Sequence, residues 1–438
     1  MHMRYLRSTF WIGLYFIVAA APVLAMLIEP PPGRGFWREF GVAIGFAGLS
    51  MMGLQFFITG RFKNLTAPYG IDVVYHFHRH ISLIAFIFIL IHVVVLLVAS
   101  PDLLLLLHPA SAPWWMVVGV IGLLAFVVVI ISSLYRRPLG LNYELWRFIH
   151  GNVSLAAVVL SVAHVVGVGF YTETPVKLGL WLVMVAAWGL ALVYVRVFKS
   201  FTSWRRPYIV EEVRPEPGRS WTLRLRPEGH DGMEFKSGQF AWLTLGKSPF
   251  AIREHPFSFS SSAMERGWLE MTIKELGDFT SQIGQTAPGT RAYLDGPYGS
   301  FIMEESGAPG FCFIAGGVGI SPIMSMLRAM ADRHDQRPVV LFYGSKDWDN
   351  ATFREELEAL KQRLNLRVVH VLGNPPPQWQ GEKGMITAEL MARYLPENRM
   401  RLEYFICGPV PMQNFMRKVV DRLGLPPENI HSESFNFV

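Results

Sequence analysis

Six apolar stretches, at residues 8–28, 39–59, 78–100, 114–134, 146–170 and 178–198, fill most of the first 200 residues of this 438-residue chain. Each reaches the ~20 residues an α-helix needs to cross a bilayer. In lipid the backbone polar groups are satisfied only within helices or closed barrels, so this half is predicted to be a six-helix membrane bundle. Six spans return both ends to one side. Arg4, Arg7, Arg61, Lys63, Arg136, Arg137, Arg147, Arg196, Lys199, Arg205 and Arg206 fall at one set of span ends, against Arg34, Arg38 and Lys177 at the other. The positive-inside rule then predicts an integral membrane protein of the bacterial inner-membrane type, with its N-terminus and its remaining half cytoplasmic. A basic start before an apolar run containing AAAPVLA also fits a cleaved signal, which would leave five spans and the same sidedness.

The membrane half carries histidines, and ionisable groups at depth are costly and usually functional. His78 and His92 are 14 residues apart, as are His150 and His164. On an α-helix that interval returns to within about 40° of the same face and spans about 21 Å. His80 and His76 lie about 120° and 160° around the helix from His92 and read as cytoplasmic-end histidines. The third and fifth spans run in the same direction, which puts His78 level with His150 near the cytoplasm and His92 level with His164 deeper. Two facing imidazole pairs are the ligand set of two bis-histidine haems stacked across the bilayer. One intramembrane His more simply hydrogen-bonds a neighbouring helix, but the repeated interval argues for the metal reading. A zinc site needs its ligands to converge on one ion, which about 21 Å along a helix forbids.

Beyond Arg206 the chain has the mixed charge and Gly/Pro punctuation of a globular half. YIVEEVRPEPGRSWTLRLRP, FAWLTL, WLEMTIKEL and TRAYLDGPYG alternate like the strands of a small β-barrel. From about residue 309, FCFIAGG, PVVLFYGS, LRVVHVLG and EYFICGP read as strands alternating with the helices SPIMSMLRAMADRH, ATFREELEALKQRL and PMQNFMRKVVDRLG, a doubly wound parallel sheet. The boundaries expected are a transmembrane di-haem domain at 1–200, a β-barrel flavin domain at 201–305 and an α/β nucleotide domain at 306–438. HPFSFSSS offers backbone amides and hydroxyls to a flavin; Lys274, Gly277 and Thr280 in IKELGDFTSQI offer charge, close backbone approach and a hydroxyl to a pyrophosphate. AGGVGISP follows a strand and opens a helix, the place where glycines and a helix N-terminus receive a pyrophosphate. CGPVPM also follows a strand and puts Cys407 at the carboxyl edge, where nicotinamides bind; a small core residue is the plainer reading.

Together the His78/His92 and His150/His164 pairs, HPFS, GDFT, DGPYGS, GGVGISP and CGP resemble the ferric reductase and NADPH oxidase superfamily over nearly the whole chain. The resemblance implies two b-type haems and FAD contacts at His255, Pro256, Phe257, Ser258, Lys274 and Thr280. It also implies nicotinamide-nucleotide contacts at Gly316, Gly317, Gly319, Cys407, Gly408 and Pro409. An aromatic near the C-terminus covers the flavin in that family; ESFNFV offers Phe435, with Phe437 second, or an ordinary strand aromatic. Lys346 in YGSKD stands where the family has an arginine for the NADPH 2′-phosphate, so NADPH is favoured; Lys is a point charge rather than a fork, and Asp347 keeps NADH open.

The implied activity is an NAD(P)H oxidoreductase that passes electrons from NAD(P)H to FAD, to the inner haem, to the outer haem and on to an extracytoplasmic one-electron acceptor. Oxygen-reducing members tend to carry a histidine one turn past the outer ligand on the third span. Leu96 stands there, which places a ferric chelate slightly ahead of oxygen; superoxide production is the alternative. A haem conduit serving a protein partner or quinone is the reading from another class. Two cysteines are too few for a disulfide framework or a four-thiolate cluster. The net charge of +6 reflects residues flanking the spans, so no nucleic-acid partner is expected. No EF-hand loop is present, so built-in calcium control is not expected.

Overall fold

The computed structural model describes residues 2–28, 30–63, 69–108, 111–250, 253–303 and 306–433. Phe435 and Phe437 lie outside them. The chain divides into two compact units between Phe198 and Lys199.

In the first unit α1 (His2–Met26), α2 (Phe36–Ile58), α3 (Ile71–Ala99), α4 (Trp114–Leu134), α5 (Tyr143–Val168) and α6 (Pro175–Val193) form the bundle. Six helices, the last continuing through a π-helical turn at Tyr194–Phe198, are long and apolar enough to cross a membrane. α3 begins seven residues before the third apolar stretch, because the polar turn YHFHRH stays helical. Asn142 caps α5 by accepting from the Leu145 amide at 2.8 Å, and Pro175 opens α6, where its missing N–H costs nothing.

α2 is the buried centre of this unit, and small residues put it there. A Cβ added at Gly48 would meet the Ala85 carbonyl at 2.9 Å, and one at Gly53 the Trp188 indole at 2.2 Å. Where lipid removes the hydrophobic drive between helices, such close approach is what holds them together. α4 and α5 repeat the arrangement, with Gly122 near the Ala157 carbonyl at 3.4 Å. Ala85 and Ala157 are both fully buried.

In the second unit a short helix α7 (Lys199–Trp204) precedes β1 (Tyr208–Glu216), β2 (Ser220–Pro227), β3 (Phe240–Leu245), β4 (His255–Ser258), β5 (Leu269–Lys274) and β6 (Arg291–Tyr298). These form an antiparallel sheet in the order β4-β3-β6-β1-β2-β5. A bridge between Phe259 and Met271 joins its two edges into a barrel. HPFS, read from sequence as a segment following a strand, is itself the edge strand β4, paired with β3 from Phe240 to Leu243.

The second sheet contains β7 (Phe311–Gly316), β8 (Val339–Ser345), β9 (Leu366–Leu372), β10 (Glu382–Lys383), β11 (Glu403–Cys407) and β12 (Ile430–Ser432). All its pairings are parallel. Its helices are α8 (Ile320–Asp332), α9 (Arg354–Leu360), α10 (Ala388–Tyr394) and α11 (Val410–Arg422). β7 is buried at every position, as a central strand covered on both faces must be. α9 is shorter than the sequence pattern, because Phe353 at φ 61° breaks the chain just before it. The strand order β10-β9-β8-β7-β11-β12 reverses direction between β7 and β11. That reversal opens the crevice where open α/β sheets receive their ligands.

α8 binds the two sheets of this unit together. On one face Ser321 donates to the Thr272 carbonyl at 3.2 Å and Ser325 to the Ser261 carbonyl at 2.6 Å. Arg328 donates to the Ser260 carbonyl and Glu270 on the barrel and to Glu356 on α9.

Candidate functional site

Each of the four spaced histidines has its ring fixed through Nδ1. His92 Nδ1 lies 2.8 Å from the Gly41 carbonyl and His164 Nδ1 2.8 Å from the Trp115 carbonyl. A carbonyl only accepts, so both carry hydrogen on Nδ1. His78 Nδ1 lies 2.9 Å from Gln55 Oε1, and His150 Nδ1 3.0 Å from Ser133 Oγ. Ser133 donates its own hydrogen to the Val129 carbonyl at 2.6 Å, so it accepts from His150. With Nδ1 engaged, Nε2 is the ring nitrogen left to face a metal on all four rings.

The His92 and His164 rings are admitted by glycines. A Cβ at Gly45 would lie 2.5 Å from His92 Nδ1, and one at Gly119 would lie 2.6 Å from His164 Nδ1. Each helix pair uses the same device: a carbonyl, a glycine four residues on for the ring, and a glycine three residues further against a buried alanine.

His78 and His150 fit an iron held between two imidazoles. Ring nitrogens bind transition metals at about 2.0–2.1 Å, which puts the centres of two trans rings roughly 6 Å apart. His78 and His150 have centroids 6.2 Å apart. His76 and His80 instead lie against one another, tilted by 43° with centroids 4.2 Å apart, and His80 Nδ1 donates to the His76 carbonyl; both are exposed. Among the described residues no three His, Cys, Asp or Glu side chains converge on one point. Leu96, one turn past His92, lies against Gly41.

In the barrel, His255 stacks on Phe279 at 4.1 Å, with Phe257 at 6.1 Å from the same ring. β4 and the GDFT loop are thus brought together by a phenylalanine that spacing did not single out. Pro256 and Phe257 are half-buried and Ser258 is buried. Lys274 ends β5, and the space over Gly277 is open, as close approach of a ligand requires. The Thr280 hydroxyl, expected at a pyrophosphate, accepts from the Leu276 and Gly277 amides at 2.8 and 2.9 Å. It holds the turn. Glu275 anchors that loop: the Trp221 indole and then Arg219 donate to it and hold its carboxyl below the ordinary range.

At the reversal between β7 and β11 the two glycine motifs interlock. A Cβ on Gly319 would lie 2.4 Å from the Cys407 carbonyl, and one on Gly408 3.2 Å from the Gly316 backbone. A Cβ on Gly316 would lie 3.1 Å from Pro409 Cδ. Gly317 takes φ +55° beside open space, a conformation that favours glycine. Cys407 is fully buried. Burial, and after it the Glu433 carboxylate, push its thiol up, so it is a neutral thiol in the core beneath the crevice rather than a thiolate.

Sequence reasoning missed Glu433 and Gln413. The Glu433 carboxylate lies against Gly299 of DGPYGS, where a Cβ would meet it at 3.0 Å. Gln413 donates to both the Gly408 and the Glu433 carbonyls, tying the CGP loop to the last described strand. Lys346 is exposed at the end of β8, on the other side of β7 from Cys407. Asp347 caps the following turn by accepting from the Asn350 amide and side chain, and those hydrogen bonds hold it below the ordinary carboxylate range. Trp348 packs at 5.2 Å from Trp379 and 5.0 Å from His370 along the same edge.

Residues 44–161 match the family described as "Ferric reductase like transmembrane component". Residues 222–301 match "FAD-binding domain" and 313–418 "Oxidoreductase NAD-binding domain". NADH-cytochrome b5 reductase 1 of Aspergillus terreus is 29% identical over 173 residues, 37% of this chain and 58% of that protein. The reductase component of propane 2-monooxygenase from Mycolicibacterium smegmatis is 29% identical over 236 residues, 52% of this chain and 66% of that protein. The chain thus spans about half to two thirds of the length of the curated relatives it matches. A flavohemoglobin from Malassezia yamatoensis, solved with bound FAD and heme, superposes with a TM-score of 0.51 at 16% identity over 95% of this chain and 98% of that one, a likeness of fold alone. Three matched segments in this order, on a helical bundle, an antiparallel barrel and a parallel α/β sheet, give the chain the ferric reductase and NADPH oxidase architecture.

Proposed function

We propose that this chain is a transmembrane NAD(P)H oxidoreductase that carries electrons through FAD and two b-type haems to a one-electron acceptor on the far side of the membrane, a ferric chelate ahead of oxygen. The observation that carries the reading is the set of four imidazoles whose Nδ1 atoms are all engaged, in a chain that also has FAD- and NAD-binding domains. FAD takes a hydride and haem iron passes electrons singly, which is the chemistry the cofactors supply.

The chain's own residues do the rest. His78 with His150, and His92 with His164, would each hold one iron. Two histidines at each iron would leave no open coordination site for a substrate. His255, Pro256, Phe257, Ser258, Lys274, Gly277 and Thr280 would receive the flavin nucleotide, Thr280 by shaping the turn. Gly316, Gly317, Gly319, Gly408 and Pro409 would let the backbone approach the pyridine nucleotide, with Cys407 behind the nicotinamide. Exposed Lys346, beside an Asp347 whose carboxylate is engaged by Asn350, supports NADPH over NADH. Apolar Leu96 supports the chelate over oxygen, and the basic span ends support a cytoplasmic reductase half.

The test is the full chain purified from membranes. Two haems per chain, bound FAD and NADPH-driven reduction of a ferric chelate without oxygen uptake are expected. Dye reduction abolished by superoxide dismutase would move the acceptor to oxygen. Absence of haem, or of NAD(P)H oxidation, would sink the proposal.

A further inference from the structure

The acceptors that hold the four imidazoles differ in kind. His92 and His164 donate to main-chain carbonyls, which no substitution changes. His78 and His150 donate to side chains. Both side chains are locked by a second hydrogen bond. Gln55 Nε2 donates to the Met51 carbonyl at 2.7 Å, fixing the amide with Oε1 toward His78; Ser133 gives its hydrogen to Val129 at 2.6 Å.

A purely structural role is a poor account of Gln55. It is 8% exposed on the buried central helix, where a primary amide costs several kcal/mol unless paired and an apolar residue of the same length would pack. It stands 14 residues from Gly41, the interval that separates His78 from His92. α2 therefore presents one acceptor at each level. On α4, Trp115 and Ser133 are 18 residues apart, five whole turns and again one face.

Resting on the two-haem reading above, we infer that Gln55 and Ser133 are positioning residues of the inner haem. They fix the Nδ1–H tautomer and the angle of its axial imidazoles, and through the strength of the hydrogen bond they set its redox potential independently of the outer haem. A stronger acceptor pulls the Nδ1 hydrogen away and makes the imidazole more basic, which favours the ferric state; a missing acceptor does the reverse.

The experiment is a redox titration of the purified full chain, following each haem by its optical bands and by electron paramagnetic resonance. Gln55→Leu and Ser133→Ala are expected to raise the inner potential, changing the reduced-to-oxidised ratio at fixed ambient potential by on the order of tenfold. Gln55→Glu is expected to lower it, the opposite sign, and Ser133→Thr to restore the wild-type value. The outer haem should not move. Two haems with unchanged potentials in the Leu and Ala variants, or shifts of one sign in both Gln55 variants, would overturn the inference. A wild-type chain without two haems would instead remove the reading on which it rests.

Discussion

Gly119→Ala is expected to dislodge one haem and spare the other. The added methyl would sit 2.6 Å from His164 Nδ1, against ordinary contact at 3.4 Å, so the ring must retreat by about 0.8 Å. A retreat of that size along the hydrogen bond to Trp115 stretches it from 2.8 Å to about 3.6 Å, where it is no longer a hydrogen bond. Overpacking costs about 1–3 kcal/mol and the lost bond about 0.5–1.5. Helical Ala returns about 0.5–1 over Gly. The net, about 0.5–4 kcal/mol, corresponds to roughly 2- to 700-fold weaker retention of the outer haem. Gly45→Ala, at 2.5 Å from His92 Nδ1, should do the same from the other side. Haem content per chain, measured optically during dilution in detergent, reads the effect: it should fall toward one while NADPH-driven reduction of a soluble dye persists. Gly179→Ala, with no heavy atom within 4 Å of the new carbon, is the control and should be neutral. If Gly45→Ala and Gly119→Ala retain both haems as tightly as Gly179→Ala, the packing argument is wrong.

Gly319→Ala would drive a methyl to 2.4 Å from the Cys407 carbonyl; steady-state kinetics should show a higher KM for NADPH, and an unchanged KM would refute the interlock. Arg328→Met takes one partner from Glu270, 2% exposed, but leaves it paired with Arg224 and Arg214, so the cost should stay below the about 3–5 kcal/mol of an orphaned buried charge; thermal unfolding of the reductase half should come earlier, with Arg328→Lys intermediate. Lys346→Ala should lower NADPH efficiency and leave NADH efficiency unchanged, and equal loss with both would deny Lys346 a role at the 2′-phosphate. Asp335 is held below the ordinary carboxylate range by hydrogen bonds from Arg337. A depressed carboxylate stabilises above its unfolded pKa and loses that contribution as pH falls through the folded one, so Asp335→Asn should destabilise at pH 7 and approach wild type below about pH 4. A gap that widened in acid would contradict the sign.

The two histidine pairs were legible because an α-helix converts 14 residues into one face, and the crevice between β7 and β11 because a glycine motif follows a buried strand. The acceptors behind the histidines were not. Gly41 and Trp115 act through main-chain oxygens, which every residue has, so their identities carry no signal. Gln55 and Ser133 are typical of many polar residues in spans until the facing helix is placed. Gly45 and Gly119 look like ordinary span glycines, and only the antiparallel register shows which ring each one admits. The turn that Thr280 holds was not legible, since a hydroxyl three residues after a glycine serves a turn as readily as a phosphate. Arg328 went unnoticed because its carboxylates come from a strand and a helix distant in sequence.

α2 carries both acceptors for the third span, Gly41 at one level and Gln55 at the other, and so behaves like a key with two teeth. One residue inserted between them would turn the teeth about 100° out of phase. Either level could still be engaged, but not both. The distance between the two stations is therefore written twice, once in the ligands and once in the rod that clasps them, and a length change in α2 can be repaired only by a matching change in α3.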